Sequence, residues 1–258
     1  MDVLRQEINE VYDAQHLSHQ HLDQSVIAQS LRMISAAVAM DADCRVITDA
    51  AADRCWIHAG SIGSIIGLPE SDCHSSLSVD SSDEDSIYTL LHPEDLVEKR
   101  MLEYEFFKLA DALSADEKLD YKAVSRIRIM SASGDYIYLD NSTQIMHLAP
   151  SGSFWLILCR YAISADQSPS DGISPAIMNL RTGQLSPLNL ASRRQTILSP
   201  REREILMLIR EGKLSKEIAD ILSISTHTVS RHRQNILQKL SVDNSMEAVR
   251  AATAMRLI

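Results

Sequence analysis

One stretch near the carboxyl end carries side chains suited to chemistry on nucleic-acid bases. Laid out at 100° per residue, positions 226–240 place Val229, Ile236, Leu237 and Leu240 on one side. His227, Ser230, Arg231, Gln234 and Gln238 fall together on the opposite side. That second face holds a cation, a hydroxyl and two amides, and no carboxylate to repel phosphate. In the major groove a guanidinium can donate twice to guanine, and a glutamine amide matches the edge of adenine. The spacing therefore predicts a helix with one side in a core and the other on double-stranded DNA.

Such a helix needs neighbours to hold it. Ser199-Pro200-Arg201-Glu202 has the form of a capping box with proline at the first helical position. The helix it opens carries Ile205, Leu206, Leu208 and Ile209 and ends at Gly212. A second, short helix over 215–222 puts Ile218, Ala219 and Leu222 on one side. Ser223-Ile224-Ser225 turns into the third helix, and a fourth runs over 245–256 with Ala248, Val249, Ala252 and Met255 inward. Short helix, tight turn and longer helix make a helix-turn-helix.

Charge is distributed to match. The 258 residues sum to −10, a balance that by itself argues against a nucleic-acid binder. From Arg193 onward, however, 12 Lys/Arg face 7 Asp/Glu, a net of +5, while the preceding 192 residues carry −15. A basic block on an acidic body is expected where one end meets phosphate and the other does not.

Residues 197–258 resemble the LuxR-type DNA-binding domain of bacterial transcription regulators. The likeness is carried by Leu198 through Glu204, Gly212 with Lys216 through Ala219, Ser225 with Thr228-Val229, Asn235-Ile236, Lys239-Leu240 and Glu247-Ala248. It implies four helices, the third in the major groove and the fourth commonly used for dimerisation. It also implies that Ser230, Arg231 and Gln234 face bases, and that Thr228 and Lys239 contact phosphate. His227, at the start of the same face, joins the backbone set. Arg233 leans inward on the wheel and is expected to reach a phosphate or solvent by its long stem. His232 turns toward the core. Two positions depart from the pattern: Ser215 replaces an asparagine, and Ser230 stands where many members carry lysine. One fewer cation weakens non-specific affinity.

The preceding chain reads as α+β. Residues 1–38 are helical in pattern, interrupted by His16, His19 and His21. Were the helix to continue, His16 and His19 could share a face and hold a metal, but no neighbouring ligand completes such a site. Strands are predicted at 44–48 and 54–58, and a mobile loop at 70–86. A helix is introduced by Leu91-His92-Pro93-Glu94-Asp95-Leu96. Strands at 124–130, 136–146 and 154–163 make an antiparallel meander. Residues 39–165 resemble a PAS sensor domain in this order of elements, a pairing with LuxR-type modules that occurs in regulators of Bacteroides-type bacteria. Residues 166–195, with Pro169, Pro175 and Pro187, read as a linker containing a small hairpin near Thr182-Gly183, before a DNA-binding domain at 196–258.

No catalytic constellation, HExxH pair or phosphate-binding GxxxxGK[ST] loop is present, so an enzyme is not expected. Asp95 and Asp140 stand as isolated acids, with capping or solvation as their roles. Cys44, Cys55, Cys73 and Cys159 form no CxxC pair, and His58, His74, His92 and His147 lie in no haem or flavin pattern, so no cofactor or metal is assigned. No apolar run approaches the ~20 residues a membrane helix needs, and the polar start is no signal peptide, which points to the cytoplasm. The expectation is a one-component, homodimeric transcription regulator that reads DNA, with RNA polymerase as a candidate contact and an unidentified small-molecule or protein signal. The competing reading is a DNA-binding interaction protein whose N-terminal domain dimerises or docks a partner and takes no ligand.

Overall fold

The computed structural model describes residues 3–68, 77–81, 84–190, 197–240, 242–255 and 257–258. The chain forms two compact units, Glu10–Leu188 and the pair of segments Met1–Asn9 with Asn189–Ile258. In chain order the elements are α1 (Val3–Asp13), α2 (Gln24–Asp41), β1 (Cys44–Asp49), β2 (Arg54–His58), α3 (Gly60–Ile66), β3 (Leu77–Val79) and α4 (Asp85–Tyr88). Then come α5 (Pro93–Ala112), α6 (Ala115–Lys118), β4 (Tyr121–Met130), β5 (Tyr136–Leu148), β6 (Phe154–Ile163), β7 (Ala176–Asn179) and β8 (Leu185–Pro187). The last four are α7 (Pro200–Arg210), α8 (Ser215–Leu222), α9 (Thr226–Leu240) and α10 (Ser245–Ala254). The fold is α+β, an antiparallel sheet with helices followed by an all-α domain. No described helix is long and apolar enough to cross a membrane.

The sheet of the larger unit has the order β3-β2-β1-β6-β5-β4-β7-β8. The meander forms as its turn residues require, with Gly134 and Gly152 at positive φ between its strands. Two segments behave differently from their composition. The stretch 166–195 is more than a linker: β7 pairs with β4 and β8 returns beside it, so the hairpin extends the sheet. Part of 70–86 does the same, with β3 pairing along β2; Cys73 and His74 lie outside the described residues. In both cases an open strand edge supplies hydrogen-bond partners that local composition does not advertise. His16 sits in left-handed backbone (φ 49°) between α1 and a one-turn helix, so it shares no helix face with His19.

Both faces of the sheet are used. On one, α2 lays Ile27, Ile34 and Val38 over Ile47, Trp155 and Leu156. Trp155 donates its indole N–H to Asp49 at 2.9 Å. On the other face lie the buried side chains of α5, Met101, Leu102, Phe106 and Phe107, with Phe107 stacked on Phe154 at 5.3 Å.

Charge also enters that second layer. Lys99 is fully buried; its ammonium bonds Glu103 and donates to the Tyr88 hydroxyl at 2.9 Å. Thr143 of β5 donates to the Glu103 carboxylate at 3.2 Å, and Tyr161 of β6 donates to Glu84. Burial pushes the Glu84 carboxyl up, overriding the nearby Lys99, whereas Glu103 keeps Lys99 charged against its own burial. Cys44, Cys55 and Cys159 are buried and form no disulfide with one another, and burial raises the Cys44 and Cys159 thiols above their usual range, which suits packing rather than reaction.

Asp95 is neither isolated nor solvated. At 1% exposure it accepts from the Arg128 backbone N–H at 2.6 Å and from both the Nε and Nη2 of that guanidinium. The motif that begins α5 thus ties the helix start to β4, and His92 caps it by accepting from the Glu94 N–H at 3.3 Å.

His58 is buried at 4% exposure with its Nε2 unpartnered, and burial lowers its pKa from 6.5. The unfolded chain therefore binds a proton that the folded chain refuses. The resulting stability is complete above pH ~6.5 and declines as pH falls below it. Glu84, with a raised pKa, acts in the opposite sense, so the comparison is made against His58→Leu. Relative to that variant, the native chain is expected to lose stability as pH falls from 7.5 to 5.5, read by urea unfolding. A pH-independent difference would show that His58 is not held neutral.

Candidate nucleic-acid interface

The C-terminal domain builds one exposed helix face from four short helices. Ser199 caps α7: its hydroxyl accepts from the Glu202 N–H at 3.3 Å, and the Glu202 carboxylate returns to the Ser199 N–H at 2.8 Å. Gly212, at φ +82°, ends the helix in a conformation that glycine adopts without cost. At the start of α8, Glu217 reaches back to the Leu214 N–H at 2.7 Å. The turn into α9 passes through Ser223 at φ +54° and closes with the Ile224 N–H on the Ala219 carbonyl at 3.0 Å. Ser225 then caps α9, accepting from the Thr228 N–H at 3.0 Å.

Val229, Ile236 and Leu240 of α9 are buried, as are Ile205 and Leu206 of α7, Ile218 and Ala219 of α8, and Ala248 of α10. With that side occupied, the opposite one must face solvent. His227, Ser230, Arg231, Gln234 and Gln238 are all exposed on it, and Thr228 is half-buried against Ser225, with the two hydroxyls 2.8 Å apart. The structure thus brings the three expected base readers, Ser230, Arg231 and Gln234, onto one surface with His227. His232 is half-buried with Nδ1 shielded from water.

Arg233 and Lys239 stand elsewhere. Arg233 does not extend to the surface: one terminal nitrogen donates to Ser215 at 2.8 Å and the other to Ser245 at 2.8 Å. It therefore pins α9 to the first turns of α8 and α10. Lys239 places its ammonium 2.7 Å from Glu202, whose side chain is 4% exposed. Burial opposes charge on that carboxyl, but Lys239 and the Ser199 N–H outweigh it and hold its pKa below the ordinary value. Arg201 is a further positioning residue, donating to the Leu222 carbonyl at 2.8 Å and so satisfying the end of α8. A helical wheel shows which way Arg233 and Lys239 point but not which serine or carboxylate waits there. The one available hint was the unusual Ser215.

Residues 196–252 match the GerE family, described as bacterial regulatory proteins of the luxR family. The C-terminal domain is accordingly a helix-turn-helix domain of LuxR type. Among curated proteins, the response regulatory protein YgeK of Escherichia coli is 48% identical over 58 residues, 22% of this chain and 40% of its own length. The transcriptional activator SolR of Ralstonia solanacearum is 37% identical over 114 residues, 42% of this chain and 48% of its own. The chain therefore spans less than half the length of these two relatives. Among solved structures, the VqmA dimer of Vibrio cholerae aligns over 92% of this chain and 89% of its own at 14% identity, with a TM-score of 0.31.

Two consequences are measurable. Lys239→Ala should destabilise the C-terminal domain by about 1–3 kcal/mol, because Glu202 is left buried without its cation; a lysine that served phosphate alone would leave the unfolding midpoint unchanged. Ser223→Gly should raise that domain's stability by about 0.5–1 kcal/mol, since the left-handed backbone there disfavours any residue with a Cβ. Thermal unfolding reads both.

Proposed function

We propose that this chain is a sequence-specific DNA-binding transcription regulator in which a PAS-like body modulates a LuxR-type reader. The observation that carries the reading is the exposed, carboxylate-free face of α9, opposite an apolar side that buries Val229, Ile236 and Leu240. Ser230, Arg231 and Gln234 read base edges, while His227 and Thr228, at the amino end of the helix, contact the phosphate backbone. With Arg233 and Lys239 engaged inside the domain, their part is to hold the angle of α9; either reaches phosphate only by giving up those partners. Among the described residues Arg231, Lys213 and Lys216 carry no ion pair, which leaves Arg231 for a base edge and the two lysines for the phosphates. Two such modules in a homodimer would meet half-sites about one helical turn apart, ~34 Å, or a multiple of it.

The PAS-like reading of the body is supported by its order of hairpin, helices and closing meander in one antiparallel sheet, and the Bacteroides-type reading by the pairing of such a body with a LuxR-type module. The buried Lys99–Glu103–Glu84 cluster supports an input role for its interior, because ionic groups in a core add little stability over apolar ones of the same size. Retention of a small molecule by the protein from its own host, seen by native mass spectrometry, favours a sensor over a mere docking platform. RNA polymerase remains a partner to be tested on the DNA-bound form.

The decisive test is footprinting on genomic fragments at ~0.1–0.2 M salt. Native protein should protect discrete sites, and uniform binding without sequence preference would end the proposal. Arg231→Ala should cost about 1–3 kcal/mol at its site and relax preference at one base position, while Lys216→Ala weakens all sequences alike. Equal losses on every sequence for both variants would refute the division into base and backbone contacts.

A further inference from the structure

The sheet face that α2 covers at β1 and β6 continues uncovered across the meander, where it holds a groove of about 290 Å³. Alternation places Lys122 and Val124 of β4 and Asp140 and Ser142 of β5 on this side, opposite the buried Ala123, Ile127 and Leu139. Ala176 and Leu185, the latter 51% exposed, close one wall from β7 and β8.

Charge in this groove is not balanced pair by pair. Arg126 and Arg160 line it but are already held, Arg126 by Asp166 and Arg160 by Asp43. Lys122 and Asp140 line the same groove, and the side chain of neither has an ion pair or hydrogen bond among the described residues. They cannot meet each other. Lys122 is level with Gln144 and Asp140 with Arg126, an offset of four residues, roughly 13 Å along the strands. Between them lie Val124 and Ser142, directly paired, so the floor joining the two charges is an isopropyl group and a hydroxyl.

A cation and an anion, each without a direct ion pair, at opposite ends of one small, partly apolar concavity complement a molecule with the reverse charges at its ends, Arg126 beside Asp140 being engaged by Asp166. We propose that this groove binds a short zwitterionic peptide in the size class of a tripeptide. Its terminal carboxylate lies on Lys122, its ammonium on Asp140, and small apolar side chains rest on Val124, Ala176 and Leu185. Three extended residues span about 10 Å, and the two side chains reaching inward close the remainder. The site is open to water, so each ion pair is weak and affinity falls in the millimolar range. The inference goes beyond the DNA-reading proposal and does not depend on it, since the groove lies wholly within Glu10–Leu188.

The full chain is titrated with trialanine, N-acetyl-trialanine and trialanine amide, following backbone amide shifts of β4, β5 and β7 by NMR. Trialanine should bind at millimolar concentration, and either cap should weaken it about fivefold. In Lys122→Met the free and amidated peptides should become equivalent, and in Asp140→Asn the free and acetylated ones should. Circular dichroism checks that both surface variants remain folded. No shifts up to about 20 mM, or caps without effect, would overturn the proposal. So would occupation by a second copy, seen in sedimentation as a dimer dispersed by Lys122→Glu and restored on adding Asp140→Lys. A mobility-shift assay on DNA reports separately on the C-terminal domain, so failure of one reading leaves the other standing.

Discussion

A charge removed from water must be met by an opposite charge or by oriented hydrogen-bond partners, and this constraint sets the geometry of both units. Glu202 is the clearest case. As the third residue of α7 it is needed to close the capping box, which puts its carboxylate where solvent is scarce. Lys239, near the far end of α9, supplies the missing charge, and one ion pair thereby connects the start of the first C-terminal helix to the end of the reading helix. Arg233 does the complementary task in the middle of α9, bridging to α8 and α10 through Ser215 and Ser245. Together they fix the helix against rolling, which apolar packing alone does loosely because hydrophobic contact has no direction.

In the larger unit the same rule operates at greater depth. Asp95 takes four donor contacts from Arg128 and so locks the start of α5 to β4, while Lys99 and Glu103, one turn apart on α5, satisfy each other beneath β5 and β6. Buried ion pairs of this kind specify an arrangement more than they stabilise it. The groove on the opposite face differs in kind: its unmatched charges lie in water, where leaving Lys122 and Asp140 unpaired costs little.

The readable parts were those whose cause is local. The four C-terminal helices follow from Ser199, Gly212, the Ser223–Ser225 turn and a 3.6-residue apolar period, and the meander follows from two alternating strands and a nearly continuous apolar third between glycine-bearing turns. The parts that escaped have distant causes. Leu77–Val79 carries a weak strand signal and becomes a strand only because an unpaired edge is nearby, and the hairpin legible around Thr182-Gly183 joins the sheet for the same reason. Asp95 looks like a helix-start acid because its sequence neighbours are Pro93 and Glu94, while its partner lies 33 positions away. The N-terminal helical pattern breaks at His16, where left-handed backbone replaces the helix face on which a histidine pair would have stood.

By itself, then, the sequence determined the class of the main elements, the division into an acidic body and a basic C-terminal block, and which five side chains of α9 face outward. Periodicity, capping chemistry and charge are properties of a residue and its near neighbours, and they survive without any knowledge of the fold. Only the tertiary structure decided the employment of the long cationic side chains. Arg231 is left to solvent while Arg233 bonds two serines and the half-buried Lys239 pairs with Glu202. The reason is reach: an arginine or lysine samples a sphere of several ångströms, and whether it finds phosphate, a serine or a buried glutamate depends on what other helices bring within that sphere.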